Sequence, residues 1–411
     1  MRIRLIAVLM ILMFLPAAFG EISLFTPEPA LSEPTPAPSA LPGLSPAPLL
    51  EAPPFMVNCA SVLLMEPESG QIFFELNADS KRPVASVTKV MTILLTLEAL
   101  DAGRISPDDM ITISPEAAGM GGSQVLLDVG ETQPVSTLLK SIIVGSANDA
   151  AVAMAEALYG SEEFFVSRMN ERAAELGMSN THFVNCTGLP AEGQHTTARD
   201  VARMSMAMFS HPLYFEFSEI WLDNVDHGDG RTTQLTNTNK LIRLYDGCDG
   251  GKTGSTNEAG YCISATAERS GMRLVAVVLG APDSSTRFDI AEEMFDYAFA
   301  NYRLYPVAQR GTKVRGTLPV TGGDTDSVSL ELNSDLTLLI PKGDEQALQL
   351  KPRLPETLEA PVIRGDIVGS VDVILDKRTV GSIPIVASES VEAVGFMPGL
   401  LRFWINWPLK L

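Results

Sequence analysis

Two pairs of apolar runs, each pair separated by a short turn segment, flank a long helical stretch of this 411-residue chain. Residues 60–66 and 71–76 form the first pair, and residues 260–268 and 272–280 form the second. Apolar runs joined by turn residues are typical of β-hairpins. Because strands at both ends enclose helices, we predict one α+β domain over 56–302 whose antiparallel sheet is assembled from both hairpins.

Helical periodicity occupies most of the segment between the hairpins and returns after the second one. Ser284 or Ser285 is expected to be the N-cap of the last helix, because a hydroxyl there can accept a backbone N–H. The predicted helices cover residues 86–102, 135–139 continuing into 148–159, 162–176, 198–209 and 285–302.

The chain changes character after the last predicted helix. Residues 306–388 contain short alternating runs such as 328–332, 336–340 and 368–375, with Gly and Pro between them. No helical period is evident there, so we predict a small all-β domain.

The N-terminal segment has the layout of a secretory signal peptide. Arg2 and Arg4 precede an apolar run over 5–15, and the small residues Ala18 and Gly20 form a cleavage site. We therefore predict a removable signal peptide over 1–20 and an exported protein, with an uncleaved N-terminal anchor as the alternative. Residues 21–54 are rich in proline and predict an extended linker.

The C-terminal segment 389–411 predicts an amphipathic tail. On a helix Arg402 and Asn406 share one narrow face, while apolar residues that include Trp404 and Trp407 cover the rest. Such a helix is too short to span a bilayer but can lie in its interface. We expect it to hold the protein on the outer face of the cytoplasmic membrane; the alternative is a tail packed on the protein body.

The chain carries 50 acidic and 30 basic side chains, a formal net charge of −20. This excess argues against a nucleic-acid-binding protein, because phosphate recognition needs a basic surface. Any membrane contact must accordingly be local and hydrophobic.

Cysteine and histidine spacing gives no sign of a metal site. There is no C-x-x-C motif and the four histidines are scattered, so we expect neither a metal nor a cofactor. Three disulfide pairings remain open for the four cysteines, as do free thiols. The cysteines are Cys59, Cys186, Cys248 and Cys262.

Ser86 and Lys89 form an S-x-x-K motif at the start of a predicted helix. The i, i+3 spacing puts both side chains on one face. A serine hydroxyl becomes a good nucleophile only when a neighbour takes its proton, and a lysine can do so only if its pKa is depressed. The apolar residues 90–95 can supply the burial that this requires. The alternative is an N-cap serine beside a solvated lysine.

Two further motifs follow in order. Ser146 and Asn148 form S-x-N just before a predicted helix, where a hydroxyl can relay a proton and an amide can bind a peptide; simple N-capping is the alternative. Lys252, Thr253 and Gly254 form K-T-G, which can hold a carboxylate while the glycine permits close backbone approach. A phosphate-binding P-loop is rejected, because it needs glycine at 246, where the chain has aspartate.

The motif triple is the mark of penicillin-binding proteins and class A β-lactamases. The chain resembles the serine-type D-alanyl-D-alanine carboxypeptidases, the low-molecular-mass penicillin-binding proteins, over roughly 56–411. The resemblance implies a β-lactamase/transpeptidase-like catalytic domain followed by the small β domain. The segments that carry it are 83–92, 146–150, 195–200, 237–241, 249–254 and 258–261.

The resemblance also implies a mechanism on peptidoglycan stem peptides. Ser86 attacks the carbonyl of the penultimate D-Ala, Lys89 takes its proton, and Ser146 helps to pass a proton to the departing D-Ala. Water then hydrolyses the acyl-enzyme, whereas β-lactams acylate Ser86 and stall there.

The substrate contacts implied by the resemblance lie on both sides of Ser86. The backbone N–H groups of Ser86 and Ser255 are the implied oxyanion hole. Lys252 and Thr253, with Gly254 beside them, bind the terminal carboxylate, and Asn148 binds the peptide.

The segment 185–189, Asn-Cys-Thr-Gly-Leu, departs from the family pattern, since relatives often carry Pro-His before the Gly-Leu.

There are two alternatives to a carboxypeptidase. A β-lactamase needs a carboxylate to activate water, for which Glu192 is the one candidate within 186–197, and the extra β domain disfavours it. A non-catalytic penicillin sensor or wall-binding module is disfavoured by the intact Ser86, Lys89, Ser146 and Lys252.

Overall fold

The computed structural model describes residues 48–395. The predicted signal peptide, most of the predicted linker and the tail from residue 396 lie outside the described residues. The N–H groups of Leu49 and Leu50, within the predicted linker, donate to the carbonyl oxygens of Ile72 and Phe73 at 2.9 and 2.8 Å. This end of the linker therefore lies along the first hairpin.

Helices and strands are mixed up to residue 301. In chain order they are β1 (Ser61–Glu66), β2 (Gln71–Leu76), a 3-10 turn (Ala85–Thr88), α1 (Lys89–Asp101), β3 (Met110–Thr112), α2 (Pro115–Ala118), β4 (Thr132–Pro134), α3 (Val135–Val144), α4 (Asn148–Tyr159), α5 (Glu162–Glu175), α6 (Ala198–Phe209), α7 (Pro212–Ser218), β5 (Leu222–Asp226), β6 (Thr232–Thr236), α8 (Leu241–Leu244), β7 (Cys248–Thr256), β8 (Gly260–Arg269), β9 (Met272–Ala281) and α9 (Ser284–Asn301).

Five of these strands form one antiparallel sheet in the order β2-β1-β9-β8-β7. The N-terminal hairpin β1–β2 joins the C-terminal hairpin β8–β9 through β1 and β9, where Ser61 pairs with Leu279. The predicted α+β class, with a sheet built from both hairpins, is confirmed.

The adjacent strands β1 and β9 carry buried apolar side chains on both faces, because helices cover both sides of the sheet. Leu63 and Val277 pack into the core formed with α1, α3, α4 and α6. Leu64 and Val278, their neighbours in sequence, point the other way and pack with Phe295 of α9. Each such buried side chain contributes roughly 1.5–3 kcal/mol of stability.

Helix α1 is enclosed by protein, since ten of its thirteen residues are buried. A helix that is apolar on nearly all sides has to lie in a core, and here it packs against α3, α4 and α6. Its first residue is Lys89, so the helix fixes the position of that lysine deep in the domain.

Two local predictions differ from the structure, and one strand was not predicted. The N-cap of α9 is Asp283, whose Oδ1 accepts the Thr286 N–H at 2.8 Å, and neither predicted serine serves as the cap. The continuous helical pattern over 135–159 is broken between α3 and α4, where Ser146 has a φ of +61°. Residues 248–256 form a strand, β7, that the sequence did not indicate because it carries three glycines.

From residue 302 the structure is almost entirely β. The strands are β10 (Tyr302–Ala308), β11 (Lys313–Thr321), β12 (Ser327–Leu332), β13 (Leu336–Pro341), β14 (Gln349–Arg353), β15 (Leu358–Glu359), β16 (Ile367–Leu375) and β17 (Arg378–Ala387). They form a six-stranded array in the order β14-β16-β17-β12-β11-β15 and a separate β10–β13 pair. A small core that includes Val328, Ile385 and Val391 fills this region, and its predicted all-β character is confirmed.

All four cysteines are free thiols in the structure. Cys186, Cys248 and Cys262 are buried, and Cys59 is half-buried. Over residues 48–395, every helix is too short or too polar to cross a membrane. The same residues contain no group of three or more His, Cys, Asp or Glu side chains placed to hold a metal ion.

Candidate active site

Ser86 and Lys89 meet at the junction of the 3-10 turn and α1. Ala85 has a φ of +50° and is the first residue of the 3-10 turn, so Ser86 lies three residues before Lys89, the first residue of α1. The Nζ of Lys89 lies 3.0 Å from the Oγ of Ser86 and donates to the carbonyl oxygen of Thr187 at 2.7 Å. Ser86 is half-buried, so its hydroxyl remains within reach of solvent.

Lys89 is fully buried, which excludes the alternative of a solvated lysine. Burial lowers the pKa of Lys89 to about 7, although the nearby Cys186 and Asp149 act in the opposite direction. A substantial fraction of this side chain is therefore a neutral amine near neutral pH, as a proton acceptor for a serine must be.

The second motif lies between α3 and α4. Ser146 accepts a hydrogen bond from the Nζ of Lys252 at 2.8 Å, and the N-cap of α4 is Ala147, so the alternative of simple capping is wrong. Asn148 donates through Nδ2 to the carbonyl oxygen of Gly121 at 2.6 Å. Its Oδ1 is buried without a hydrogen-bond partner among the described residues, and an unpaired buried acceptor is costly unless a ligand supplies a donor.

The third motif lies on β7, the strand at the edge of the sheet. Lys252 and Thr253 are buried, whereas Ser255 is exposed. Burial lowers the pKa of Lys252 well below its usual range, and the positive charges of Lys89 and Arg287 lower it further. The arrival of a carboxylate would favour the charged form of Lys252 again.

Gly254 lets β7 lie directly against the turn that carries Ser86. A Cβ atom at Gly254 would be 2.6 Å from the carbonyl oxygen of Val84 and 2.7 Å from the backbone nitrogen of Ser86. Only glycine permits this approach. The three motifs are thus brought together at one edge of the sheet, with Ser86 and Ser255 at its surface.

The sequence did not indicate three residues that support this cluster. The carbonyl of Thr187 holds Lys89, and a backbone acceptor leaves no signal in a sequence. Arg287 of α9 is buried and donates to the carbonyl oxygens of Gly254 and Cys262 at 3.1 and 3.2 Å. Asp149 accepts the backbone N–H groups of Val125 and Leu127, but the sequence shows it only as a helix N-terminal residue.

The D-alanyl-D-alanine carboxypeptidase family matches residues 49–283. The chain is 36% identical over 348 residues to the D-alanyl-D-alanine carboxypeptidase DacF of Bacillus subtilis, covering 84% of this chain and 89% of that protein. The chain belongs to the D-alanyl-D-alanine carboxypeptidase family. It is also 34% identical to DacC of Escherichia coli, over 84% of this chain and 87% of that one.

The carboxypeptidase likeness extends into the C-terminal β region and to solved structures. The C-terminal domain of penicillin-binding protein 5 matches residues 302–393. Penicillin-binding protein 5 of Haemophilus influenzae superimposes with a TM-score of 0.71 at 30% identity, over 83% of this chain and 99% of that chain. Penicillin-binding protein 6B of Escherichia coli gives a TM-score of 0.68 at 27% identity, over 83% and 99%.

The chain is therefore a serine-type D-alanyl-D-alanine carboxypeptidase, a hydrolase of a family that acts on peptidoglycan peptides and binds β-lactams. Membership favours this activity over a β-lactamase and over a non-catalytic sensor or wall-binding module. Glu192, the candidate carboxylate for a β-lactamase, lies on a loop beside Lys81 and His195 in a groove of about 600 Å³.

The Gly254→Ala variant is expected to lose most of its carboxypeptidase activity and part of its stability. The added methyl group meets backbone atoms of Val84, Ser86 and Val87, so β7 has to move away from the Ser86 turn. Overpacking of this kind costs roughly 1–3 kcal/mol. Penicillin acylation rates and melting temperatures measure both effects. Gly103→Ala is the control: its φ of +64° strains the substitution, but open space surrounds this glycine and it lies beyond the far end of α1 from Ser86. Equal acylation rates in the two variants would contradict the close approach.

Proposed function

We propose that Ser86 is the nucleophile of this carboxypeptidase and Lys89 the general base that activates it. The observation that carries the proposal is the contact of 3.0 Å between Ser86 Oγ and the fully buried Lys89 Nζ. As the hydroxyl adds to the carbonyl carbon of the penultimate D-Ala, its proton passes to the neutral amine of Lys89. The terminal D-Ala leaves with a proton, and water releases the acyl group.

Ser146 is proposed as the proton relay to the departing D-Ala. Its hydroxyl oxygen accepts from the buried Lys252, so the hydroxyl hydrogen is free to point toward the leaving nitrogen. The two lysines are both buried, and the charge of Lys89 lowers the pKa of Lys252, so a charge on both at once is costly.

The remaining site residues are proposed to bind the substrate. Lys252 and Thr253 take the terminal carboxylate, and Gly254 lets the peptide-binding strand approach Ser86. Asn148 presents its unpartnered Oδ1 to a substrate N–H. The backbone N–H groups of Ser86 and Ser255 form the oxyanion hole, where each donor is worth roughly 3–4 kcal/mol.

Mass spectrometry of the penicillin-treated protein tests the assignment of the nucleophile. Penicillin opens its β-lactam ring on the attacking hydroxyl, so one adduct of the full penicillin mass is expected on the peptide that contains Ser86. The peptides that contain Ser146 and Ser255 serve as internal controls. An adduct on either of those peptides, with none on Ser86, would show that the nucleophile is misassigned.

The protein is also proposed to be exported by a signal peptide over 1–20 and to rest on the outer face of the cytoplasmic membrane. The proposal is supported by the sequence of the two ends and by the net charge of −20, which leaves a local apolar contact as the means of binding. In the same scheme 21–54 is a linker, 56–302 the catalytic domain, 306–388 the β-rich domain and 389–411 the anchor.

Truncation after Gly395 is expected to release the protein from phosphatidylcholine vesicles in a sedimentation assay. The removed segment contains Trp404 and Trp407, whose rings favour the membrane interface. Catalysis should persist, because no proposed site residue lies beyond 255. A Trp404→Glu variant of the full chain should release the protein in the same way, while Arg402→Gln should not. Equal sedimentation of the full and truncated chains would contradict the anchor.

A further inference from the structure

The segment 185–189, which departs from the family pattern, supplies the second hydrogen-bond partner of Lys89. Among the described residues, the Nζ of Lys89 contacts the Oγ of Ser86 at 3.0 Å and the carbonyl oxygen of Thr187 at 2.7 Å. Both Lys89 and Thr187 are buried. The direction of the Thr187 carbonyl therefore decides how the amine is oriented.

Asn185 fixes the direction of that carbonyl. Its Oδ1 accepts the N–H of Gly188 at 2.7 Å, and this N–H belongs to the same peptide group as the Thr187 carbonyl. In a planar trans peptide the N–H and C=O bonds point in opposite directions. Holding the Gly188 N–H on Asn185 consequently aims the Thr187 oxygen at Lys89.

The neighbouring peptide groups are fixed as well. The N–H of Cys186 donates to Oε1 of Glu162 at 2.9 Å, and the hydroxyl of Thr92 donates to the Cys186 carbonyl at 2.6 Å. Gly188 has a φ of +82°, and a Cβ there would lie 1.9 Å from the carbonyl oxygen of Ala85. With both flanks held, the peptide between Thr187 and Gly188 has two hydrogen bonds among those described: its carbonyl accepts from Lys89, and its N–H donates to Asn185. The Asn185 contact is thus the restraint on this peptide that does not involve Lys89 itself.

The orientation matters because a neutral amine has two N–H bonds and a single lone pair. When one N–H points at the Thr187 oxygen, the lone pair is left for the Ser86 hydroxyl proton. If the carbonyl turns away, the amine can rotate and present an N–H to Ser86, and such a geometry cannot accept the proton.

We propose that Asn185 is a positioning residue for Lys89: it holds the peptide between Thr187 and Gly188 so that the Thr187 carbonyl orients the amine toward Ser86. The inference rests on the proposed role of Lys89 as the general base. Among the hydrogen bonds described, Asn185 contacts neither Ser86 nor Lys89, and it acts through the backbone that Lys89 touches.

The test is the rate constant for acylation by a fluorescent penicillin, measured on the full chain from pH 5 to pH 9. Asn185→Ala is expected to lower the high-pH plateau by roughly 10- to 100-fold, the cost of a misplaced reacting group. The ascending limb of the pH–rate profile should move to lower pH. A carbonyl acceptor stabilises the ammonium form of Lys89, so loss of that acceptor lowers the pKa of Lys89.

Asn185→Asp is the conservative variant: it keeps an oxygen in the place of Oδ1 and gives up only the Nδ2 donor to the Leu189 carbonyl, which is not part of the peptide at Lys89. It should recover the plateau, with the limb moved to higher pH by the added negative charge. Asn170→Ala is the matched control. The Asn170 side chain donates to the Phe183 carbonyl and accepts the Phe183 N–H, both at 2.9 Å. It thus holds the same loop but does not contact the peptide between Thr187 and Gly188. It should keep the wild-type limb and plateau.

Two results would overturn the inference. One is a wild-type plateau in Asn185→Ala. The other is an ascending limb of the pH–rate profile that moves to higher pH. Water that enters a loosened loop would produce such a shift, because it would restore the ordinary pKa of Lys89. Should Asn185→Ala fail to fold by its melting curve, Asn185→Leu is judged by the same outcomes, because its apolar side chain of similar size cannot accept the Gly188 N–H. Absence of acylation in the wild type would instead contradict the proposed function.

Discussion

A Ser86→Ala variant is expected to release D-alanine from a pentapeptide substrate at least about 10⁴-fold more slowly than the wild type, and to form no penicillin adduct. Removing a nucleophile eliminates the covalent route, and only the weaker catalysis supplied by binding and the oxyanion hole remains. The variant should fold normally, since Ser86 is half-buried and its hydroxyl contacts only Lys89 among the hydrogen bonds described. Quantitation of free D-alanine measures the effect.

Ser80→Ala is the matched control for this experiment. Ser80 is exposed on the segment that leads to the site, and only its backbone takes part in a turn. It should release D-alanine at the wild-type rate. Release by Ser86→Ala at a rate near that of Ser80→Ala would show that another group attacks the substrate.

The second large effect is expected for Lys89→Met, which replaces the amine with an apolar side chain of similar length. Loss of a general base costs roughly 10²- to 10⁴-fold in rate, so acylation by penicillin should fall by that factor. Because Ser86 and Lys89 act as a unit, the double variant Ser86→Ala, Lys89→Met should be no slower than Ser86→Ala alone. Lys240→Met, at an exposed lysine, is the control for the substitution itself.

The pH dependence of the wild type checks the same role of Lys89. The base is the neutral amine, and burial lowers its pKa to about 7. Below that value the neutral fraction falls tenfold for each pH unit, so the acylation rate should rise with pH and level off above about 7. A flat profile from pH 5 to pH 9, or a Lys89→Met variant that acylates as fast as Lys240→Met, would contradict the general-base role.

Much of the fold followed from patterns that are local in sequence. The hairpins at 60–76 and 260–280 and most helices repeat at the period of their secondary structure, so the α+β class could be predicted. Strand β7 could not, because Gly250, Gly251 and Gly254 remove the alternating side chains that mark a strand. The structure shows why they are there: a Cβ at each would meet Tyr214, the Ser264 carbonyl or the Ser86 backbone within 2.8 Å.

The side chains of the candidate site could be predicted from the sequence, whereas its backbone contacts could not. Side-chain motifs identified Ser86, Lys89, Ser146 and Lys252 as a group, and the structure brings these four together. The Thr187 carbonyl had no signal, because any residue presents the same backbone oxygen. The contact that aims it, from Asn185 to Gly188, depends on loop geometry that only the folded chain displays.

The pairing of β1 with β9 constrains when this enzyme can become active during synthesis. Residue 61 faces residue 279, so the sheet stays incomplete until almost the whole catalytic region has been made. Until then β1 exposes apolar side chains on both faces, and such non-local pairing makes folding slow and aggregation a hazard. An N-terminal fragment that ends before β9 contains all three motifs, but it lacks the strand that joins them into one site.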